Sequence, residues 1–339
     1  MFGVMAQKKT TFGLTLSNRA LVTRGTPPED LINMAAIAEA SGAIDAIWVG
    51  DSILSKPRLE CIPLLGAIAA RTSRVKLGVA CMATIAQRNP VLLALQWASL
   101  DLLSGGRSWL AACMGYPASQ HPMAAKELEV MGVASKERPG RMEEMLQALR
   151  LLWSEEHASF HGKYYSFDDV NLLPKPIQRP CPIYIAGTPR AAQIGDGGVE
   201  RALRRIARYA DGWMSNQIEL SMFREHKARL RELLVEEGRN PEAFKTVLYY
   251  GVCVNDDREQ GFREAKAFLD AYYQKDFTRQ GVEIWTACGP VEHCVGCVKA
   301  FIDAGVDHVA IRPIGADLNA QFQTYLKDLL PALTSATEA

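Results

Sequence analysis

Eight short apolar runs recur along the chain, and residues with helical periodicity follow each of them. They are TFGLTL from 11, AIDAIWVG from 43, VKLGVACM from 75, SWLAACMG from 108, PIYIAG from 182, DGWMSN from 211, TVLYYGVCV from 246 and DHVAIRP from 307. Most are unbroken rather than alternating, as parallel strands covered on both faces must be. A right-handed strand–helix–strand crossover repeated eight times closes on itself, so this order predicts an α/β fold, a (β/α)8 barrel. An open doubly wound sheet is the other arrangement the same elements allow. The 339 residues would make two domains at roughly 150 residues each, but barrels routinely exceed that length as one. A single barrel domain over 1–339 is therefore expected.

Several helix ends can be read directly. Thr26, Pro27 and Glu29 have capping-box spacing ahead of the stripe Leu31, Met34, Ala35 and Ala38, which ends near Ser41 and Gly42. Asn89-Pro90 opens a second helix, which runs to Leu103 and stops at Gly105 and Gly106. Two connections are too long for simple barrel loops. Residues 115–181, after the fourth strand, carry a helix around Met142 to Trp153 and a polar-aromatic stretch, FHGKYYSFDDVNLLPKP, whose alternation suggests a short hairpin or an extended cover. Residues 255–306, after the seventh, carry at least two more helices. Insertions of this length usually cover the catalytic mouth or extend the outer helices.

Composition narrows the partners. Lys plus Arg equals Asp plus Glu at 38 each, so no net field gathers polyanions, and neither nucleic acid nor a membrane surface is expected as a partner. No apolar run approaches a span of roughly 18 residues, and the first residues lack signal-peptide order, which makes the cytoplasm the expected compartment. Eight scattered cysteines then favour free thiols. The Cys294 and Cys297 pair, with Cys288 and His293 nearby, falls in an amphipathic helix marked by Val291, Val295, Val298 and Ile302, so no metal site is expected.

Barrels place their chemistry at the C-terminal ends of the strands. Gly187, Thr188, Pro189 and Arg190 follow the fifth run. They read as an anion site, with a glycine for close approach, a hydroxyl at an N-cap and free amides at a helix start. His121, in MGYPASQHP after the fourth run, is the leading titratable candidate, and His161 in the HGKYYSF cover is second. His308 opens the last strand at the opposite face and is discounted. His157, His226 and His293 read as surface. Trp109, Met114 and Tyr116 are placed for contact with a bound ring, whereas Tyr164, Tyr165 and Phe167 either line a substrate cover or pack it.

The runs AEASGAIDAIWVGDS, RTSRVKLGVACMATIAQRNPVLLALQWASLDLLSGGR, ERPGRMEEMLQALRLLW, HGKYYSF, LPKPIQRPCPIYIAG, ARYADGW and GVDHVAIRP resemble, in order and spacing, the luciferase-like monooxygenase superfamily. The resemblance implies FMN or the deazaflavin coenzyme F420 at the barrel mouth. It also implies a non-proline cis peptide at Ala80-Cys81 behind the isoalloxazine ring, and the cofactor phosphate at Gly187–Arg190. Cofactor contacts are thus expected from Asp51, Ala80, Cys81, Met114, Gly115, Gly187, Thr188 and Arg190. Read without the resemblance, Cys81 is an ordinary core residue. Two departures stand out: IGDGGVE breaks what is usually a continuous helix, and Ser52 follows Asp51 where deazaflavin-dependent dehydrogenases carry a histidine. Ser52 and His121 are the candidates for the catalytic step.

The expectation formed on these residues is a monooxygenase that uses reduced FMN and O2 on a small organic substrate, with a separate flavin reductase supplying FMNH2. An F420-dependent reductase or dehydrogenase is the alternative, and a non-catalytic flavin-binding protein a third. A homodimer is expected through the helices from 62 and 90, which are apolar on more than one face.

Overall fold

The computed structural model describes residues 9–338. In chain order its strands are β1 (Thr11–Leu16), β2 (Ala46–Val49), β3 (Lys76–Met82), β4 (Ser108–Ala112), β5 (Ala158–His161), β6 (Ser166–Val170), β7 (Ile183–Ala186), β8 (Gly212–Asn216), β9 (Lys245–Val254), β10 (Thr286–Gly289) and β11 (His308–Pro313). Eight of them, β1–β2–β3–β4–β7–β8–β9–β11, pair in parallel, and β11 returns to β1 with Thr11 opposite His308. The barrel is closed, as the eight runs require. β5 and β6 form the expected antiparallel hairpin, and β10 pairs with β9 outside the ring.

The inward face of the barrel is built in two unlike layers. Towards the N-terminal ends lies a plug of Trp48, Trp109, Tyr184 and His308, with ring centroids 5.5 to 5.8 Å apart. A Cβ on Gly13 or Gly78 would lie 2.8 and 2.2 Å from atoms of the Trp48 ring, so the flanking strands need glycine to admit that indole. The Trp48 indole N–H donates to His308 Nε2 (3.0 Å), and Nδ1 lies 2.8 Å from the Thr11 hydroxyl. Burial pushes the imidazole down to about 3, so His308 is a neutral plug residue. Two residues further along five of the strands, on the same face, the residues are small, Gly50, Ala80, Ala111, Ala186 and Ala310, while Met214 on β8 and Tyr249 on β9 complete the layer.

Three local expectations are corrected. The first long helix is Pro28–Ala40 with Pro27 at its N-cap and no side-chain cap bond, so Thr26 does not cap it, whereas Asn89 does accept from Leu92 N (3.1 Å). His226 is buried, and its Nε2 is 2.8 Å from the Pro189 carbonyl. The expectation of free thiols fails at one pair: adjacency of β3 and β4 brings Cys81 and Cys113 together as a disulfide, with Cα atoms 5.8 Å apart. The other six cysteines are free.

The connection after β4 carries helices Pro122–Val130 and Arg138–Ser154 before the hairpin. The one after β9 carries helices Arg258–Tyr273, Arg279–Trp285 and Val291–Asp303. Phe268, Leu269, Tyr273, Phe277 and Trp285 from this second connection form a satellite core against Cys253 and Ile314 at the C-terminal ends of β9 and β11. That core is one wall of the mouth. No described helix is long and apolar enough to cross a membrane.

Candidate active site

The small-residue layer leaves few side-chain atoms on the floor of the mouth. Ala80-Cys81 is cis, and the β3–β4 register slips between Ala80 and Met82. Asp51 does not face open space. Its Oδ2 accepts from the Thr84 amide (2.9 Å) and hydroxyl (2.7 Å), and its Oδ1 from Arg88 (2.9 Å), which tie the end of β2 to the turn after β3. The same Arg88 nitrogen pairs with Glu60 (2.9 Å), so the Asp51, Glu60 and Cys61 trio surrounds a guanidinium instead of awaiting a metal. Met114 and Gly115 form the turn after β4. Arg138 donates to the carbonyls of Met114 and Tyr116, both at 2.7 Å. Gly115 has φ 67°, and a Cβ there would lie 3.0 Å from the Ala83 carbonyl oxygen.

Ser52 is committed to its own loop. Its hydroxyl lies 2.8 Å from Ser55 Oγ and 3.3 Å from Glu127, and accepts from the Lys56 amide at 2.9 Å. Glu127, unrecognised in the sequence, organises this loop. One of its oxygens accepts from the amides of Ile53 (3.0 Å), Leu54 (2.6 Å) and Ser55 (2.8 Å). Burial raises its pKa, but these amides and Gln87 outweigh burial and hold it below the usual glutamate range. It is therefore a poor base for Ser52. His121 is buried, with its ring 5.8 Å from that of Tyr116 and its Nδ1 without a partner among the described residues. Burial, Lys56 and Arg19 lower its pKa against a smaller opposing pull from Glu127, so it is a neutral imidazole at pH 7.

Across the mouth the structure assembles residues that are far apart in the chain. Arg19 after β1, Lys56 and Arg58 after β2, and Arg312 on β11 approach the ring of Tyr272, the penultimate residue of the helix Arg258–Tyr273. Lys56 Nζ also lies 4.5 Å from the Tyr116 ring centroid and 4.9 Å from that of Tyr273. Burial pushes the Lys56 ammonium down to about 8. Burial would raise the Tyr272 phenol, but Arg58, Arg312 and Lys56 override it and bring it to about 7. Of these residues the sequence reading had singled out Tyr116 alone.

The turn after β7 differs from its expected form. Gly187 has φ 143° and nothing within 4 Å of where a Cβ would stand, so its exposed side admits close approach. The helix, however, begins at Ala191 with Arg190 at the N-cap, and it is kinked at Gly195 within IGDGGVE. Thr188 is thus not the cap. Its hydroxyl donates to the Asn216 carbonyl (2.5 Å) and accepts from the Asn216 amide (3.2 Å). With its one proton used, an anion here would rest on the amides of Ala191 and Ala192, which precede the first intrahelical bond, and on Arg190, 3.4 Å from Glu219.

A closed parallel (β/α)8 barrel with long connections over its C-terminal mouth is the architecture of the luciferase-like oxidoreductases. Residues 10–308 match the luciferase-like monooxygenase family, and the chain belongs to it. An F420-dependent glucose-6-phosphate dehydrogenase of Amycolatopsis mediterranei is 26% identical over 323 residues, covering 90% of this chain and 95% of that protein. Among solved structures, an F420-dependent secondary alcohol dehydrogenase in complex with an F420-acetone adduct aligns with TM-score 0.79 at 18% identity, over 96% of this chain and 99% of its own. The monooxygenase RslO1 from Streptomyces bottropensis aligns with TM-score 0.76 at 19% identity, over 95% of this chain and 99% of its own. At such identities the two structures speak for the fold alone. The sequence relatives overturn the expectation of a reduced-FMN monooxygenase served by O2 and a flavin reductase, because those covering 90% of the chain are named as F420-dependent dehydrogenases.

Proposed function

We propose that the chain is a coenzyme F420-dependent oxidoreductase that moves a hydride between the deazaflavin and a small organic substrate. The observation that carries this is the floor of Gly50, Ala80, Ala111, Ala186 and Ala310 above an aromatic plug, in a chain whose relatives use F420. The donor set also fits a ring edge. Thr15 shares the inward face of β1 with Thr11 and Gly13, and its buried hydroxyl has no partner among the described residues. When bound, the deazaflavin supplies two-electron hydride chemistry; the chain supplies the rest. Ala80 and Cys81 back the ring, with Asp51 bracing their turn from behind. Met114 and Gly115 edge the mouth, while Gly187, Arg190 and the following amides take the phosphate and Thr188 holds their turn. Tyr116, Tyr273 and Trp285 exclude water over the ring, and His121 handles the substrate proton. Ser52 shapes the loop beside it.

Mixing the pure protein anaerobically with F420 and with FMN tests this. The expected result is tight binding and hydride exchange with the deazaflavin. Tight FMN binding with oxygen uptake, and no deazaflavin binding, would reverse the assignment.

The chain also carries a second apolar face suited to a copy of itself. On the helix Pro90–Leu103, Leu92, Leu95, Leu102 and Leu103 are exposed and share one side, opposite the buried Leu93, Ala94, Trp97 and Ala98. Sedimentation at micromolar concentration should give a dimer, and Leu103→Glu a monomer; a wild-type monomer would refute the assembly.

A further inference from the structure

We propose that the Cys81–Cys113 disulfide is a redox switch in the floor of the mouth: exchange with a small dithiol opens it, and the two resulting thiols weaken binding of the ring. The effect on the ring rests on the oxidoreductase assignment above; the exchange at sulfur does not.

The bond joins two elements that edge the ring site. Cys81 lies near the C-terminal end of β3, where it packs with Ala80 against the inward cluster of Ala46, Trp48 and Ala111. Cys113 follows β4, two residues past Ala111 and so on the same inward face. Its amide donates to the Met82 carbonyl (3.2 Å), which carries the pairing of the two strands past the irregularity between Ala80 and Met82. Both cysteines of the pair are half-buried, whereas five of the six free cysteines are buried. Met82, Ala111 and Ala112 beside them are fully buried, so the exposed side of the pair opens to the mouth. Accessible disulfides are the labile and regulatory ones.

The exchange balances with the dithiol as its one reductant. A thiolate of the dithiol attacks one cysteine sulfur, the bond between the cysteines breaks, and the other cysteine leaves as a thiolate that takes a proton. The reagent's second thiol then displaces the first cysteine from the mixed disulfide. Two electrons and two protons pass to the protein, which gains two thiols, and the dithiol becomes a cyclic disulfide.

Reduction moves the sulfurs apart, because a bonded pair stands closer than van der Waals contact permits. The backbone on either side is pinned. Asp51 holds the turn after β3 through the Thr84 amide (2.9 Å) and hydroxyl (2.7 Å). Arg138 holds the turn after β4 through the Met114 and Tyr116 carbonyls, both at 2.7 Å. The movement therefore falls to the side chains, which swing to their open side, over Ala80 and Ala111, where the ring is proposed to lie. A thiol standing there overpacks the contact between ring and floor. By reciprocity, a bound ring opposes reduction.

Native protein treated under nitrogen with millimolar dithiothreitol, then alkylated and mapped by mass spectrometry, should carry label on Cys81 and Cys113 that is absent without the dithiol. Circular dichroism should be unchanged, and prior saturation with F420 should slow the labelling. After removal of the reagent, fluorescence titration should show F420 bound about tenfold more weakly by the reduced protein, with affinity restored by oxidised glutathione. Cys113→Ser cannot close the bond and should bind at the weaker level with or without dithiol. Should that variant fail to fold, the two states of the wild type decide alone. Absence of dithiol-dependent label, or equal F420 affinity in the two states, would overturn the switch. If the oxidised protein binds no F420, the hydride-transfer assignment fails, and the same titration with FMN takes its place: FMN bound more weakly after reduction upholds the switch, and equal or absent FMN binding overturns it.

Discussion

Replacing Glu127 with alanine is expected to destabilise the protein by about 3 kcal/mol or more, as buried amides that lose their acceptor cost roughly 1 to 3 kcal/mol each. Three consecutive amides, those of Ile53, Leu54 and Ser55, converge on one oxygen of a side chain only 4% exposed. The alanine cavity supplies no substitute. Urea denaturation should show a lowered midpoint, with Glu127→Gln intermediate because it keeps the shape but not the charge. The pH dependence follows from the same contacts. The folded pKa lies below that of a free glutamate, about 4.3, so the stabilisation is present above that value and is lost as pH falls through the folded pKa. Wild type should lose this increment below about pH 4, and Glu127→Gln should lack it. Equal midpoints for wild type and Glu127→Ala at neutral pH would mean that the loop has another support.

The barrel was legible because each strand is buried on both faces and so appears as an apolar run. The floor was legible too, though only with the fold in hand. On one face, Trp109 is followed by Ala111, Tyr184 by Ala186, His308 by Ala310 and Trp48 by Gly50, a large-then-small alternation that means little until the strands are known to share an interior. Arg312 was visible as a charge within an apolar strand. Its companions were not, because Arg19, Lys56 and Arg58 lie in loops, and Tyr272 is brought to them by a helix some 250 residues downstream of Arg19, whose guanidinium donates to the Tyr272 carbonyl. Thr188 was misplaced as a cap because Arg190 stays extended and delays the helix. The Cys81–Cys113 pair depends on strand register, which one-dimensional spacing does not carry. The choice of deazaflavin over flavin was not legible either. A floor of alanines and glycine recognises a flat ring without regard to the ring atoms that distinguish the two cofactors.

If the proposed hydride transfer oxidises an alcohol, a proton leaves oxygen as the hydride leaves carbon, and a base at the mouth is then required. Ser52 cannot serve, because its hydroxyl is bound within its own loop and the neighbouring carboxylate is stabilised as an anion. His121 is the proposed base: its imidazole is held below the ordinary histidine value, and its buried Nδ1 has no partner among the described residues. His121→Ala should lower kcat by about 100-fold, the scale of general-base catalysis, while leaving F420 affinity nearly unchanged. Folding should survive, because the residue caps the helix Pro122–Val130 through its backbone carbonyl, which accepts from Ala124 N at 2.9 Å. The wild-type profile should carry an acid limb below the ordinary imidazole value of about 6.5, since burial and the Lys56 and Arg19 charges disfavour the imidazolium. Activity should fall as pH drops through that limb, and the variant should lose the limb along with the rate. An undiminished rate in His121→Ala would remove the histidine from the mechanism and direct the search to Tyr272, whose phenol is brought to about 7 by the surrounding cations. Rate and F420 affinity falling together would instead make His121 a residue that positions the cofactor.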